Sequence, residues 1–373
     1  LEVVLHSASD TGVTLRTARL VPGLKILGVI VLVVVGLTIP STLGNAYLLA
    51  AAVVILNYAV CATGWNFMGG FTGYISFGHA AYFGLGAYGT ALLINRLEMA
   101  SFLAVAVAVV IVSLTAIPVG FAALRLRGAS FVIATIAFVL IVLLVAQSWS
   151  SFTGGSSGME APRPFPGLLR PEHHLRFYYL YLGLLAVALL LWWLIDRSQF
   201  GMRLKAIRED EDKARALGVP TTEYKLVAFV LSAAFTAAAG GFYALWFGDL
   251  DPVFQFSILL GAYMVLMALV GGIRSLFGPL LGAVLVGFAL EYFKLNYGDT
   301  QIHLTATGLL LVLVVLFMPD GVIPGVRDLL NRRLRRGETS IREQTAEELL
   351  DSQRERTEDS PSDLEPTVNG ARG

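Results

Sequence analysis

The sequence predicts an all-α polytopic membrane protein with about ten transmembrane helices and both termini cytoplasmic. Three observations carry this reading. Hydrophobic residues make up 56% of the chain and charged residues only 14%, against roughly one quarter charged in a soluble domain. The apolar residues come in long blocks, and a helix crossing a bilayer needs roughly 20 of them in a row. Basic residues, which stay on the cytoplasmic side of short loops, return at alternate gaps between those blocks.

Residues 1–23 form a cytoplasmic N-terminal segment, and Arg16, Arg19 and Lys25 mark the start of the first apolar run. No small-residue cleavage site follows that run, so it is read as a retained span and not a signal peptide. The transmembrane region, 24–325, holds candidate spans at 24–41, 46–67, 74–94, 101–124, 130–149, 177–195, 226–248, 257–273, 277–295 and 302–318. Glycines or short turns interrupt the third and the last four.

With the N-terminus inside, the inner loops carry Arg125 and Arg127, then Arg203, Lys205, Arg208, Lys213 and Arg215, then Arg274. Arg327, Arg332, Arg333, Arg335 and Arg336 follow the last span, while the outer turn at Asp249 and Asp251 has no basic residue. The outer loop 150–176 is the exception, with Arg163, Arg170 and Arg176 balanced by Glu160 and Glu172. Residues 326–373, sharply acidic after about residue 337 and without apolar periodicity, are expected to be a largely disordered cytoplasmic tail. Zero formal net charge gives no footprint for nucleic acid, and the single Cys61 excludes an intrachain disulfide or a cysteine metal cluster.

Three segments stand out. Residues 69–91 hold seven glycines in about one span, each costing a helix up to about 1 kcal/mol relative to alanine. Two readings explain them. Ala80, Gly84, Ala87 and Ala91 share a helical face where small residues let helices approach closely, and Gly78 and Gly86 extend that small-residue content. Alternatively, Gly69, Gly70 and Gly73 let the backbone unwind beside a polar cavity, near Ser76. His79 is an ionisable group inside a span, either functional or a neutral imidazole donating to a neighbouring helix carbonyl. No second histidine or carboxylate stands at ligand spacing, so neither a metal site nor a cofactor is expected.

The second segment is the inner loop 196–225, where Met202, Ala206, Ile207, Ala214 and Leu217 give a short amphipathic pattern rich in charge. Gly218 and Pro220 stand where a helix stops. Such a helix either docks in a partner's groove or lies on lipid headgroups. The third is Thr153-Gly154-Gly155-Ser-Ser-Gly158 on the outer side, either a tight turn with free backbone N–H groups for a docking protein or solute, or a plain flexible loop.

Absences narrow the class. No G-x-x-x-x-G-K-[ST] phosphate loop is present, so this chain does not hydrolyse ATP, and no metalloprotease or nucleophile-elbow motif marks an enzyme. Intramembrane carboxylates are scarce: Glu291 and Lys294 stand near the outer end of a span. An ion-coupled carrier relays charge through such groups. A partner ATPase accounts for both absences.

At this point the residues resemble a family, the permeases of branched-chain amino acid ABC importers, of the LivM type. Gly73-Tyr-Ile-Ser-Phe-Gly-His-Ala-Ala-Tyr-Phe-Gly-Leu-Gly-Ala-Tyr looks like its signature, and Arg127-Gly-Ala-Ser-Phe-Val-Ile-Ala-Thr-Ile-Ala-Phe followed by Thr153-Gly-Gly-x-x-Gly also fits. So do Ala206-Ile-Arg-Glu-Asp-Glu, Ala216-Leu-Gly-Val, Tyr224-Lys-Leu-x-Ala-Phe, Gly271-Gly and Phe277-Gly-Pro-Leu-Leu-Gly-Ala. The resemblance covers most of 46–325. It implies that 201–219 is a coupling helix entering a cleft on an ATPase, with Glu209 and Gly218 at the family's loop positions beside Ala206 and Ala214. It implies a second homologous permease chain, two ATP-binding ATPase subunits and an extracytoplasmic substrate-binding protein, around a multi-pass chain in a prokaryotic cell membrane. Leucine, isoleucine and valine are the implied cargo. Urea or short amides are the alternative, and a stand-alone ion-coupled carrier is the competing mechanism. The acidic tail departs from the family pattern.

Overall fold

A computed structural model of the chain describes residues 45–297 apart from Pro166, with scattered positions among 28–40 and 305–309. Half of the first predicted span, most of the last, the N-terminal segment and the acidic tail therefore lie outside the described residues.

The helices in chain order are α1 (Ala46–Thr72), α2 (His79–Leu97), α3 (Ser101–Ala123), α4 (Ala129–Ser148), the single turn α5 (Ser150–Thr153) and α6 (Arg170–Arg197). Next come α7 (Gln199–Glu209), α8 (Glu211–Ala216), α9 (Thr221–Phe247), the turn α10 (Pro252–Gln255), α11 (Ile258–Gly271) and α12 (Gly278–Tyr297). Two short strands, β1 (Met159–Glu160) and β2 (Asp249–Leu250), pair antiparallel. Eight of the ten predicted spans thus coincide with helices. Among the described residues, seven helices are long and apolar enough to cross a membrane. The protein is an all-α polytopic membrane protein to that extent.

The helix outside the set of seven is α2, whose glycines and terminal Asn95 and Arg96 lower its apolarity. Its position explains why that is tolerated. It packs against α3 and α9, and most of its residues are buried, so few of them would meet lipid. Its crossing with α9 is a reciprocal glycine contact. A Cβ on Gly86 would lie 2.1 Å from the Ala237 carbonyl oxygen, and one on Gly240 would lie 2.0 Å from that of Phe83. Small residues are required because two backbones touch.

The segment 69–78 also differs from the expected span boundaries. Helix α1 runs on through Gly69 and Gly70 to Thr72, and α2 starts at His79 instead of residue 74. Gly73 closes α1 with φ of 76° and its N–H donates to the Gly69 carbonyl at 3.0 Å, a left-handed cap suited to glycine. Of the two readings for Gly69 and Gly70, the helical one holds, and the non-helical stretch is 73–78.

The connections sort into two ends. Tyr74, Arg127 and Arg208 reach across to one another's elements, as described below, and gather the loops rich in Arg and Lys at a basic end. At the far end Tyr88 donates to the Leu250 carbonyl at 3.0 Å, and Asn95 and Arg96 donate to the carbonyls of Glu160 and Ser151.

Candidate functional site

Among the described residues, the segment 198–220 at the basic end holds the largest cluster of charged contacts. Ser198 caps α7 by accepting from the Gly201 N–H at 3.1 Å, and Gly201, Leu204 and Ile207 form the buried face of that helix. The predicted single helix 201–219 is in fact two. Asp210 is extended, with φ of −161° and ψ of 106°, and its carboxylate accepts from the N–H groups of Asp212 and Lys213 at 3.1 and 3.0 Å. An aspartate in that role starts a new helix, and Glu211 and Asp212 in its first turn complement the helix dipole. The stop falls where the sequence placed it: Gly218 has φ of 85° and Pro220 is the residue before α9.

Glu211 is the hub. Its carboxylate lies 2.7 Å from the Lys225 ammonium, 3.1 Å from the Arg215 guanidinium and 3.6 Å from that of Arg127. The Tyr74 hydroxyl donates to it at 2.6 Å and the Thr221 hydroxyl at 3.3 Å. Lys225 is only 1% exposed, so its charge requires that partner. Arg127 makes a bidentate pair with Asp212 at 2.9 and 3.0 Å. Arg208 donates to the Gly70 carbonyl at 2.8 Å, placing a cation on the negative end of α1. One short helix is thereby tied to α9 and to the connections 73–78 and 124–128, while α7 is tied to the end of α1.

Burial by itself would raise the Glu211 pKa, but the Lys225 ammonium, the Tyr74 hydroxyl and Arg127 outweigh it and hold the group below its ordinary 4.5. Burial first, then the Glu211 carboxylate, pushes the Tyr74 hydroxyl up. Backbone hydrogen bonds lower Asp210, and Arg127 lowers Asp212. A depressed carboxylate stabilises above its unfolded pKa, and that stability is lost as pH falls through the folded value. Hydrogen exchange of the α8 amides is therefore expected to be unchanged, after correction for intrinsic rates, from pH 7 down to about 4.5, and to speed up only below that. Loosening between pH 7 and pH 5 would contradict the charge network.

The predicted residues of this segment separate. Ala214 is buried against the body, whereas Ala206, Glu209 and Gly218 are exposed, Glu209 pairing only with the adjacent Arg208 at 3.1 Å. Of the predicted apolar face, Ile207 and Ala214 are buried, but Met202 is exposed and Leu217 is 86% exposed. Glu211, Lys225 and Tyr74 were not singled out from the sequence as site residues, and Arg127 was placed there only as an inner-loop cation and the start of a motif. The one local hint is a lysine close to the start of an apolar span.

His79 is buried, with Nε2 2.5 Å from the Ser232 hydroxyl, which itself donates to the Gly64 carbonyl at 2.7 Å. With the hydroxyl proton spent on Gly64, the His79 Nε2 serves as donor to that hydroxyl. Ser76 accepts from the Gly78 N–H at 3.2 Å, while its carbonyl takes the Trp65 indole N–H at 2.6 Å. Gly84 lies against Phe256, whose ring a Cβ would meet at 2.2 Å. These residues join α1, α2 and α9. Among the described residues no cluster of three or more His, Cys, Asp or Glu could hold a metal.

The far-end turn takes up the N–H groups of its glycines internally. The Thr153 hydroxyl bonds back to the Ala146 and Trp149 carbonyls. The N–H groups of Gly154, Gly155 and Gly158 are taken by the Ser150 carbonyl, the Thr153 hydroxyl and the Gly155 carbonyl. A Cβ on Gly158 would lie 2.2 Å from the Leu250 carbonyl, so the turn is packed against β2.

The family model described as the permease component of branched-chain amino acid transport systems matches residues 47–318. The high-affinity branched-chain amino acid transport permease LivM of Salmonella typhimurium is 28% identical over 301 residues, covering 74% of this chain and 70% of that protein. LivH of Escherichia coli is 29% identical over 288 residues, covering 72% and 91%. The fructose import permease FrcC of Rhizobium meliloti is 28% identical over 143 residues, covering 37% and 40%. No solved structure matches.

Proposed function

Because the chain belongs to the family of permease components of branched-chain amino acid transport systems, we propose that it is the membrane-spanning subunit of an ATP-driven importer for small aliphatic amino acids. The observation that carries this reading is the construction of α7 and α8. Glu211, Lys225 and Arg127 clamp the inner side of the segment to the bundle, while Leu217 and Gly218 stand exposed at its tip. An anchored helix with an apolar tip suits docking into a groove on a partner.

In this reading the basic end faces the cytoplasm, the chain makes ten spans with both termini inside, and two ATPase subunits receive the tips of this chain and of a second, homologous permease. LivM and LivH relatives both resemble this chain, which suits a pair of related permeases. A substrate-binding protein docks at the far end. Closure of the ATPases pushes on α8, and the Glu211 cluster passes the displacement to α9 and to the 73–78 connection. The subunit itself catalyses no reaction.

The test combines purification in mild detergent with uptake into vesicles. P-loop ATPases and a second permease are expected to copurify, and ATP is expected to drive uptake of leucine, isoleucine or valine. A chain that purifies alone and moves solute on an ion gradient would overturn the reading. Gly218→Pro is expected to cut uptake at least tenfold while the complex still inserts and hydrolyses ATP. Proline cannot adopt φ of 85° and lacks the N–H that donates to Arg215 at 3.0 Å. Full uptake in that variant would remove the tip from the coupling path.

A further inference from the structure

At the far end, where α6 starts and α9 stops, lies a recess of about 350 Å³. Arg163 and Arg170, both exposed, line it together with His173 and His174. Among the described residues no carboxylate pairs with either arginine. Glu172, the nearest acid in the sequence, is exposed and does not line the recess. Arg176, a little further along α6, rests on the Phe165 ring at 4.5 Å. The rest of the wall is apolar, chiefly Phe165, Leu168, Trp246 and Phe247.

Trp246 fixes both imidazoles. Its indole N–H donates to the His174 Nδ1 at 3.0 Å, and its carbonyl lies 3.1 Å from the His173 Nε2. With Nδ1 accepting, the neutral His174 ring carries its proton on Nε2 and is a donor there. The polar groups of the recess are thus cations and N–H donors.

Its depth narrows the choice of ligand. Helices α1 and α6 begin at this end and α9 finishes here, and all three are apolar enough to cross a membrane. The apolar run of α6 starts near Phe177, and Arg170 lies about two turns before it, roughly 10 Å, which is the reach of the headgroup layer beside the hydrocarbon. A tryptophan at the end of α9 suits the same layer. Arg163, Arg170 and Arg176 are also the exception to the charge bias of the other loops.

We propose that this recess binds the headgroup of an anionic phospholipid. Arg163 and Arg170 take the phosphodiester oxygens, which the planar guanidinium matches, and the His174 Nε2–H donates to a further headgroup oxygen. Phe165 and Leu168 cover the glycerol and the first methylenes of an acyl chain. A choline headgroup would bring a second cation beside two unpaired arginines and is disfavoured. The bound lipid bridges α6 and the end of α9, and it gives the three arginines a reason to stand against the charge bias. The proposal does not depend on the importer reading, since its test reads binding and not transport.

The experiment is native mass spectrometry of the protein purified in mild detergent, stripped of lipid and titrated with phosphatidylglycerol or phosphatidylcholine. One phosphatidylglycerol per chain is expected to bind at least fivefold more tightly than phosphatidylcholine. Arg163→Gln with Arg170→Gln is expected to remove that one molecule and leave any held at the basic end, whereas Arg163→Lys with Arg170→Lys retains it. Arg125→Gln, at the basic end, is expected to leave it in place. Both arginines are exposed, so the glutamine pair is expected to melt like the lipid-free native protein. Equal binding of the two lipids by the native protein would overturn the proposal, as would a preference that survives the glutamine pair. Displacement of the lipid by millimolar inorganic phosphate would make this a site for soluble anions and overturn the lipid assignment. A soluble protein held through these arginines, with no lipid preference, would assign the recess to a protein carboxylate instead.

Discussion

Gly86→Leu is expected to abolish uptake and to destabilise the folded chain by about 3 kcal/mol, the upper part of the usual overpacking range. The reason is what the new atoms would strike. The first of them would lie 2.1 Å from the Ala237 carbonyl oxygen and 2.7 Å from its carbon, and helix backbone cannot step aside. Gly84→Leu provides the comparison on the same helix. Its Cβ would meet the Phe256 ring, a side chain that can turn, so its effect is expected to be smaller. Thermal melting of both purified variants, alongside uptake, orders them. Native-like melting of Gly86→Leu would mean that α2 and α9 are not in backbone contact.

Glu211→Ala is expected to be costly for a different reason. It removes no large apolar volume but leaves the buried Lys225 ammonium with the Tyr74 hydroxyl, 3.0 Å away, as its remaining partner. Breaking a buried ion pair from one side typically costs about 3–5 kcal/mol. The low end is expected here, because Lys225 keeps that hydroxyl. Replacing both partners, as Glu211→Ala with Lys225→Met, is expected to recover most of the stability, since an apolar pair carries no stranded charge. Transport is not expected to recover, because, among the described residues, α8 would be tied to α9 only through the Arg215–Thr221 hydrogen bond of 3.2 Å. The measurements are melting temperature and the ratio of solute moved to ATP hydrolysed. A double variant restored in both would make the cluster a stabilising feature only.

Much of the fold is legible in the sequence because it is local. Apolar blocks such as 101–124 and 130–149 fall on α3 and α4 almost residue for residue, since one property, transfer to hydrocarbon, decides them. The stop at Gly218 and Pro220 is legible for a similar reason: each residue's own backbone preference acts there. The break at Asp210 was hidden inside a run of charges that reads equally well as one helix, and its signal lies in which side chain caps which N–H. The Glu211 cluster is less visible still. Tyr74 lies 137 residues from Glu211 and Arg127 lies 85 from Asp212, and no periodicity links positions so far apart. His79 was visible as an anomaly in its span, but its partner Ser232, 153 residues away, was not.

The enclosure of α2 also bears on how the chain is made. A segment leaving the translocon enters lipid by itself only when its own transfer is favourable, and α2 falls outside the helices apolar enough for that. The neighbours that accept its glycines are α3, next in the sequence, and α9, which emerges more than a hundred residues later. The segment 79–97 is therefore expected to owe its place in the membrane more to α3 and α9 than to its own partitioning.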